Sequence, residues 1–219
     1  MYILSPMSNC ASPEKRDRIA PITQQTEADC LGYAWFCSAG DNDIVPHHWL
    51  RGLEITPEAN SVDHRASEEY KAFRAAVARE CLLSRPSDLG FWRPMDIGFA
   101  SRDGGLNLAT IAQGRARYAV VHELGFDADR RGVVKAALTN LADQALDTPT
   151  VLSFWPLARD EGDEGDGGSA LVFSVFDDKA AAETFESART SCVWEQIVSL
   201  CKSRRRTTWI ESGIGFIGR

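Results

Sequence analysis

The sequence predicts an α+β fold made of two consecutive β-α-β-β-α-β units. The chain has 219 residues, a length that suits one large domain or two small ones. Residues 101–115 contain an Asp-Gly-Gly turn signal and show no clear hydrophobic period, and they divide the chain into nearly equal halves. Strand and helix patterns follow one another in the same order on both sides. We therefore predict one repeat over 1–100, a linker at 101–115 and a second repeat over 116–219.

The second half shows this order most clearly. β-branched and aromatic runs predict strands, and apolar residues at helical spacing predict helices. In chain order the predicted elements are a strand at 117–124, a helix at 127–146, strands at 150–155 and 170–176, a helix at 179–200 that breaks near 190–191, and a strand that begins at 207–210. This order is the split βαβ, or ferredoxin-like, plan. The basic run 202–206 is expected to follow the last helix and to interact with its C-terminal carbonyls.

The first half repeats the plan. Ser12 and Pro13 are a good helix start, with the serine as N-cap and the proline at the first helical position. The predicted elements are a strand at 2–4, a helix from 12 to about 28, strands at 31–37 and 49–55, a helix at 67–83 and a strand at 92–100. The segment 62–66, before the second helix, corresponds to 176–180 in the other half.

Composition excludes several classes of protein. Hydrophobic residues make up 44% and charged residues 25% of the chain, which is typical of a globular protein and not of a disordered one. The formal net charge of −7 argues against a general nucleic-acid binder, which needs a basic surface. No apolar run approaches a membrane span, and the N-terminus lacks the features of a secretory signal. We therefore expect a cytoplasmic protein with six reduced cysteines and no membrane partner.

On this repeated order the chain resembles tandem members of the antibiotic-biosynthesis-monooxygenase-like group of dimeric α+β barrel proteins. The resemblance covers nearly the whole chain and rests on the pattern of elements, without a diagnostic motif. It implies that two four-stranded sheets face each other within one chain and close an intramolecular α+β barrel. The chain is then expected to be a monomer or a weak homodimer.

The resemblance also implies an activity. The chain is similar to two-repeat proteins of aromatic polyketide pathways. We therefore expect a cofactor-independent monooxygenase that acts on a polycyclic phenol or polyketide-derived molecule. A base removes a proton from the substrate, and the resulting anion reacts with dioxygen. The same residues could run a cyclisation, isomerisation or dehydration, and a non-catalytic small-molecule-binding barrel is the alternative from a different class.

The densest polar and aromatic patch spans 46–54. On a strand, alternation places His47, Trp49 and Arg51 on one face. A tryptophan that stacks, an arginine that stabilises a phenolate or enolate, and a histidine that moves a proton suit an oxygenated aromatic substrate. The alternative is that the histidine lies in a loop and the arginine is a solvated edge residue.

His122 is a second candidate base because it lies within an apolar strand, where burial would keep it neutral. A core histidine bonded to a neighbour is the alternative. His64 precedes a helix and is better explained as a capping or surface residue. Without a histidine base, the reaction would need a shifted carboxylate such as Glu54 or Glu123, or the substrate's own acidity.

Core packing explains most of the aromatic residues on the predicted strands, but they could also form the walls of a substrate pocket. The candidates are Trp35, Trp155 and Tyr118, together with Trp49. The sequence contains no Walker motif and no CxxC, and its one GxGxxG run, at 213–218, is interpreted as a C-terminal strand edge and not as a phosphate loop. We therefore expect no flavin, nicotinamide, nucleotide or metal as a cofactor.

Overall fold

The computed structural model describes residues 1–23, 31–42, 45–57, 67–102, 106–107, 116–159 and 167–217. Its strands are β1 (Tyr2–Leu4), β2 (Met7–Ser8), β3 (Gly32–Ser38), β4 (Leu50–Thr56), β5 (Phe91–Pro94), β6 (Leu106–Asn107), β7 (Tyr118–Asp127), β8 (Val151–Arg159), β9 (Gly167–Phe176) and β10 (Cys201–Ile217). Its α-helices are α1 (Pro13–Thr23), α2 (Glu68–Arg79), α3 (Arg131–Leu146), α4 (Lys179–Thr184) and α5 (Ser191–Leu200). A 3₁₀ turn over Ala128–Arg130 precedes α3, and a π-helical segment over Phe185–Arg189 separates α4 from α5.

Eight of these strands close into an antiparallel barrel. Their order around it is β1-β5-β8-β9-β7-β10-β3-β4, and β4 pairs with β1 to complete the circle. The short strands β2 and β6 pair with β4 and β10 outside this circle. Closure leaves no long unpaired strand edge among the eight, which removes the backbone donors and acceptors that an open sheet exposes.

The predicted fold class, two ferredoxin-like repeats with separate sheets, is therefore wrong. The strands of the two halves are joined by hydrogen bonds: β5 pairs with β8, and β10 pairs with β3. The physical reason lies in β10, which runs for 17 residues. Its first part pairs with β7 and its second part with β3, so one strand belongs to the sheet of both halves.

Several local predictions are confirmed. The Ser12 side chain accepts a hydrogen bond from the Lys15 amide at the start of α1, and the helix predicted over 179–200 is interrupted at Thr190. The basic run 202–206 is not a helix cap, because it forms the start of β10. The division of the chain at 101–115 stays a prediction, since 103–105 and 108–115 lie outside the described residues.

Three hydrophobic clusters follow from the alternation of side chains along the strands. The barrel interior is filled from all eight barrel strands, with Phe36, Leu53, Phe173 and Trp209 among the most buried residues. On the outside, α3, α4 and α5 cover β7, β8 and β9, whereas α1 and α2 cover β3 and β4. No helix in the described ranges combines the length and the apolar character that a bilayer crossing requires.

Candidate active site

A cavity of about 360 Å³ opens at one end of the barrel. This volume lies at the lower end of the range that is typical of small-molecule sites. Its walls come from β2, β4, β5, β7, β8 and β10 and from the turns near β1 and β5. The lining residues are Ser5, Met7, Arg51, Asp88, Leu89, Gly90, Trp92, Glu123, Arg159 and Arg205.

Arg51 forms the inner end of this cavity. Arg51 lies two residues before Leu53 on β4, so both side chains are on the face that packs in the barrel interior, and Arg51 is only 2% exposed. Its Nε donates to Ser5 Oγ at 3.1 Å, and its Nη1 donates to Glu123 Oε1 at 2.5 Å. Burial lowers the pKa of Arg51, and the Glu123 carboxylate reduces this shift because it stabilises the charged guanidinium. The interior therefore holds one guanidinium whose charge is balanced by one carboxylate across the barrel.

Glu123 lies between Arg51 and the solvent. Its register neighbour on β10 is Arg205, whose Nε lies 3.8 Å from Glu123 Oε2. Burial alone would raise the pKa of Glu123, but Arg51 and the charges of Arg205 and Arg159 lower it below the ordinary value of 4.5. The side chains of Glu123 and Arg205 are 29% and 37% exposed, so the cavity becomes more polar and wetter toward its mouth.

The indole of Trp92 supplies a hydrogen-bond donor at the same cavity. The residue is 7% exposed, and its Nε1–H has no hydrogen-bond partner among the described residues. Gly90 leaves room for the ring, since a Cβ there would lie 2.4 Å from Trp92 Nε1. A buried N–H without a partner costs free energy, which a hydrogen bond to a bound molecule would recover.

The structure places His122 on the outer face of β7, opposite Glu123. The ring is buried under the helices, stacked on Trp194 at 4.1 Å between ring centroids. Its Nε2 lies 2.8 Å from Glu186 Oε1, and its Nδ1 lies 3.4 Å from an Arg204 nitrogen. Burial lowers the pKa of His122, although the Glu186 carboxylate acts in the opposite direction and raises it. His122 and Arg51 are therefore not brought together, and the role of His122 as base stays a prediction.

The other sequence-based candidates are spread over both faces of the sheet. Trp155 packs inside the barrel, and Trp49 lies beside that cluster with the Arg85 guanidinium 5.6 Å from its ring centroid. His47 is exposed in the turn before β4, with its ring against His48.

Besides His122, two candidates face outward. Trp35 packs on the side of α1 and donates to the Tyr33 hydroxyl. Tyr118 donates to Asp41, which also binds Lys179 and Thr208. His64 lies outside the described residues.

Sequence reasoning missed most of the residues that line the cavity. From the sequence, Glu123 is only an alternative to a histidine base, and Arg205 belongs to a basic run that is expected at the end of a helix. Arg205, Thr207 and Trp209 are two residues apart, and this spacing indicates a strand with all three side chains on one face. In the structure that face of β10 points to the barrel interior. Within the described ranges, no group of three or more His, Cys, Asp or Glu residues could hold a metal ion.

The fold is shared with solved structures at low sequence identity. A Lactobacillus acidophilus protein provisionally named a monooxygenase is 10% identical, with a TM-score of 0.67 over 100% of this chain and 99% of that chain. A Fusobacterium nucleatum protein with the same provisional name is 12% identical, with a TM-score of 0.71 over 96% of this chain and 93% of that chain. An anthrone oxidase-like protein is 14% identical, with a TM-score of 0.63 over 98% of this chain and 92% of that chain.

No protein-family model and no curated protein matches the sequence. At identities of 10–14% the likeness is one of fold. Chemically, the cavity combines guanidinium groups, the indole of Trp92 and the two carboxylates of Glu123 and Asp88. Guanidinium groups are suited to binding oxyanions, so this lining is compatible with an anionic group on a small molecule.

Proposed function

We propose that the barrel cavity binds an oxygenated aromatic molecule as its anion, and that the protein is a cofactor-independent monooxygenase for polycyclic phenols or related polyketide-derived molecules. The observation that carries the proposal is the convergence of Arg51, Arg205 and Arg159 on Glu123 inside the cavity, whose other carboxylate, Asp88, is paired with Arg85. The guanidinium groups that hold the Glu123 carboxylate can instead hold the anionic oxygen of a bound molecule.

Anion stabilisation is the contribution that these residues make to the chemistry. A phenol resembles tyrosine, with a pKa of ~10, and an adjacent cation lowers such a pKa by about 1–3 units. The effect is strong beside Arg51, because the guanidinium is buried and little water screens it. The phenolate is electron-rich and reacts with dioxygen: one oxygen atom enters the product, the other leaves as water, and the substrate supplies the electrons.

The walls of the barrel would protect this reaction. Trp92 can donate its indole N–H to a second oxygen of the substrate, which would orient the ring. The apolar interior beyond Arg51, with Leu53 and Trp209, would exclude water from the reactive intermediate. The provisional names of two structural neighbours, and the anthrone oxidase-like name of a third, agree with an oxygenase that acts on a fused-ring substrate.

The test is the variant Arg51→Met, which keeps the length of the side chain and removes its charge. The measurements are binding of 2-naphthol, a bicyclic phenol, by titration calorimetry, and oxygen uptake with a panel of polycyclic phenols. We expect Arg51→Met to weaken naphthol binding at least ~10-fold and to abolish oxygen uptake. The matched control is Arg130→Met, at an exposed arginine of the 3₁₀ turn, which should behave as wild type. Equal binding by both variants would place the phenol outside this cavity and overturn the proposal.

A further inference from the structure

We propose that Glu123 is the proton acceptor of the barrel site and that it acts by exchanging partners. The Glu123 carboxylate leaves Arg51 and takes up the phenolic proton, and the phenolate oxygen replaces it against the guanidinium. This inference rests on the proposed function, since it assigns a second role within the same cavity.

The geometry around the carboxylate supports such an exchange. Glu123 Oε1 accepts from Arg51 Nη1 at 2.5 Å, whereas Oε2 lies 3.8 Å from Arg205 Nε, beyond hydrogen-bond distance of that nitrogen. Glu123 also lies nearer the cavity mouth than Arg51, because its side chain is 29% exposed and that of Arg51 is 3% exposed. A phenol that enters from the mouth meets the carboxylate before it reaches the guanidinium.

Charge balance favours a neutral phenol as the species that enters. The charged groups that face Glu123 are Arg51 on β4, Arg205 on β10 and Arg159 on β8, and Asp88 acts on Arg51 from the turn before β5. If a phenolate entered while Glu123 stayed ionised, two anions would share one buried guanidinium. If a neutral phenol enters and its proton moves to Glu123, the net charge of the cavity does not change and no additional ion is desolvated.

The proton transfer needs no external reagent. The phenolic O–H bond breaks, and the proton forms an O–H bond with a carboxylate oxygen of Glu123. The electron pair stays on the phenolate oxygen, which then accepts from Arg51 Nη1. In the resting site Arg51 lowers the pKa of Glu123. Once the phenolate holds Arg51, this effect is largely cancelled and the protonated carboxyl becomes stable. The exchange thus converts a poor base into a competent one only when the substrate is bound.

The experiment counts protons. Binding of 2-naphthol at pH 7 is measured by calorimetry in buffers with different heats of ionisation, and absorption spectra report whether the bound molecule is naphthol or naphtholate. For the wild type we expect bound naphtholate with no net proton released, since the proton stays on Glu123. For Glu123→Gln we expect bound naphtholate with one proton released per molecule, because the amide cannot accept it. Glu195→Gln, at an exposed position of α5, is the matched control and should release none.

Other outcomes separate this inference from the proposed function. Release of one proton by the wild type, or a spectrum of neutral naphthol, would overturn the role of Glu123 and leave the cavity as the phenol site. Absence of naphthol binding by the wild type would overturn both. If Glu123→Gln does not fold, Glu123→Asp serves instead: it keeps a carboxylate and should again release no proton, whereas release of one would count against the exchange.

Discussion

The substitution Glu186→Gln should lower the free energy of unfolding substantially at neutral pH and by a smaller amount in acid. Glu186 lies in the π-helical segment and ties it to the sheet: Oε1 contacts His122, and Oε2 accepts from Arg206 Nη2 at 2.6 Å. Burial would raise the pKa of Glu186, but these two partners lower it from 4.5 to about 2. At 1.36 kcal/mol per pKa unit, that shift corresponds to roughly 3 kcal/mol of stability from ionised Glu186.

The sign of the pH dependence follows from the lowered pKa. The stability from Glu186 is fully present above pH 4.5 and is lost as the pH falls toward about 2. Urea unfolding followed by tryptophan fluorescence should therefore show a gap between wild type and Glu186→Gln of roughly 3 kcal/mol at pH 7, which narrows progressively below pH 4.5. Glu183→Gln, at a carboxylate that is 63% exposed on α4, should change stability by less than ~1 kcal/mol. A gap that stays constant from pH 7 to pH 3 would refute the reasoning, because it would reflect packing and not ionisation.

Two further expectations concern the residues on either face of the sheet. Trp92→Phe should leave the free energy of unfolding in urea nearly unchanged, because the lost N–H has no partner in the part of the chain that the structure describes. It should nevertheless weaken 2-naphthol binding about 10-fold in calorimetry. His122→Ala should lower the free energy of unfolding by about 3 kcal/mol, since it removes a buried ring stacked on Trp194. The turnover of the folded fraction should then change only a few-fold, and a loss of ~100-fold with the fold intact would instead support His122 as the base.

Local structure was predictable from the sequence because local physics determines it. Alternation and β-branched residues locate β7 and β9, and the serine N-cap with a following proline locates α1. Barrel closure was not predictable in the same way. It depends on pairs between distant strands, such as β5 with β8, and no short-range pattern encodes which edges meet. The order of elements alone is compatible with two open sheets or with one closed sheet.

The candidate site shows the same division. Arg51 was found because it stands in a strand with an alternating pattern, and that alternation directs it into the barrel. Arg205 was missed because a basic run after a helix also fits the attraction of cations to helix C-termini. The structure resolves the ambiguity through length: α5 ends at Leu200 and β10 begins at once, so the run is a strand whose residues face alternately in and out.

Because of this alternation, the neighbouring residues Arg205 and Arg206 lie on opposite faces of the sheet and bind different partners. Arg206 faces outward to Glu186, where the ion pair fastens the helical layer to the sheet, and Arg205 faces inward to Glu123. The need to hold the helices over β7 explains the pair of Arg206 with Glu186. Fold stability does not explain the inward cluster of Arg51, Glu123 and Arg205 in the same way, since buried ion pairs are often no more stabilising than apolar side chains of similar volume. An apolar residue in place of Arg51 would complete the interior that Leu53 and Trp209 already form. A charged, partly exposed cavity at the end of an otherwise apolar barrel is therefore better explained by the ligand binding that we propose than by the stability of the fold.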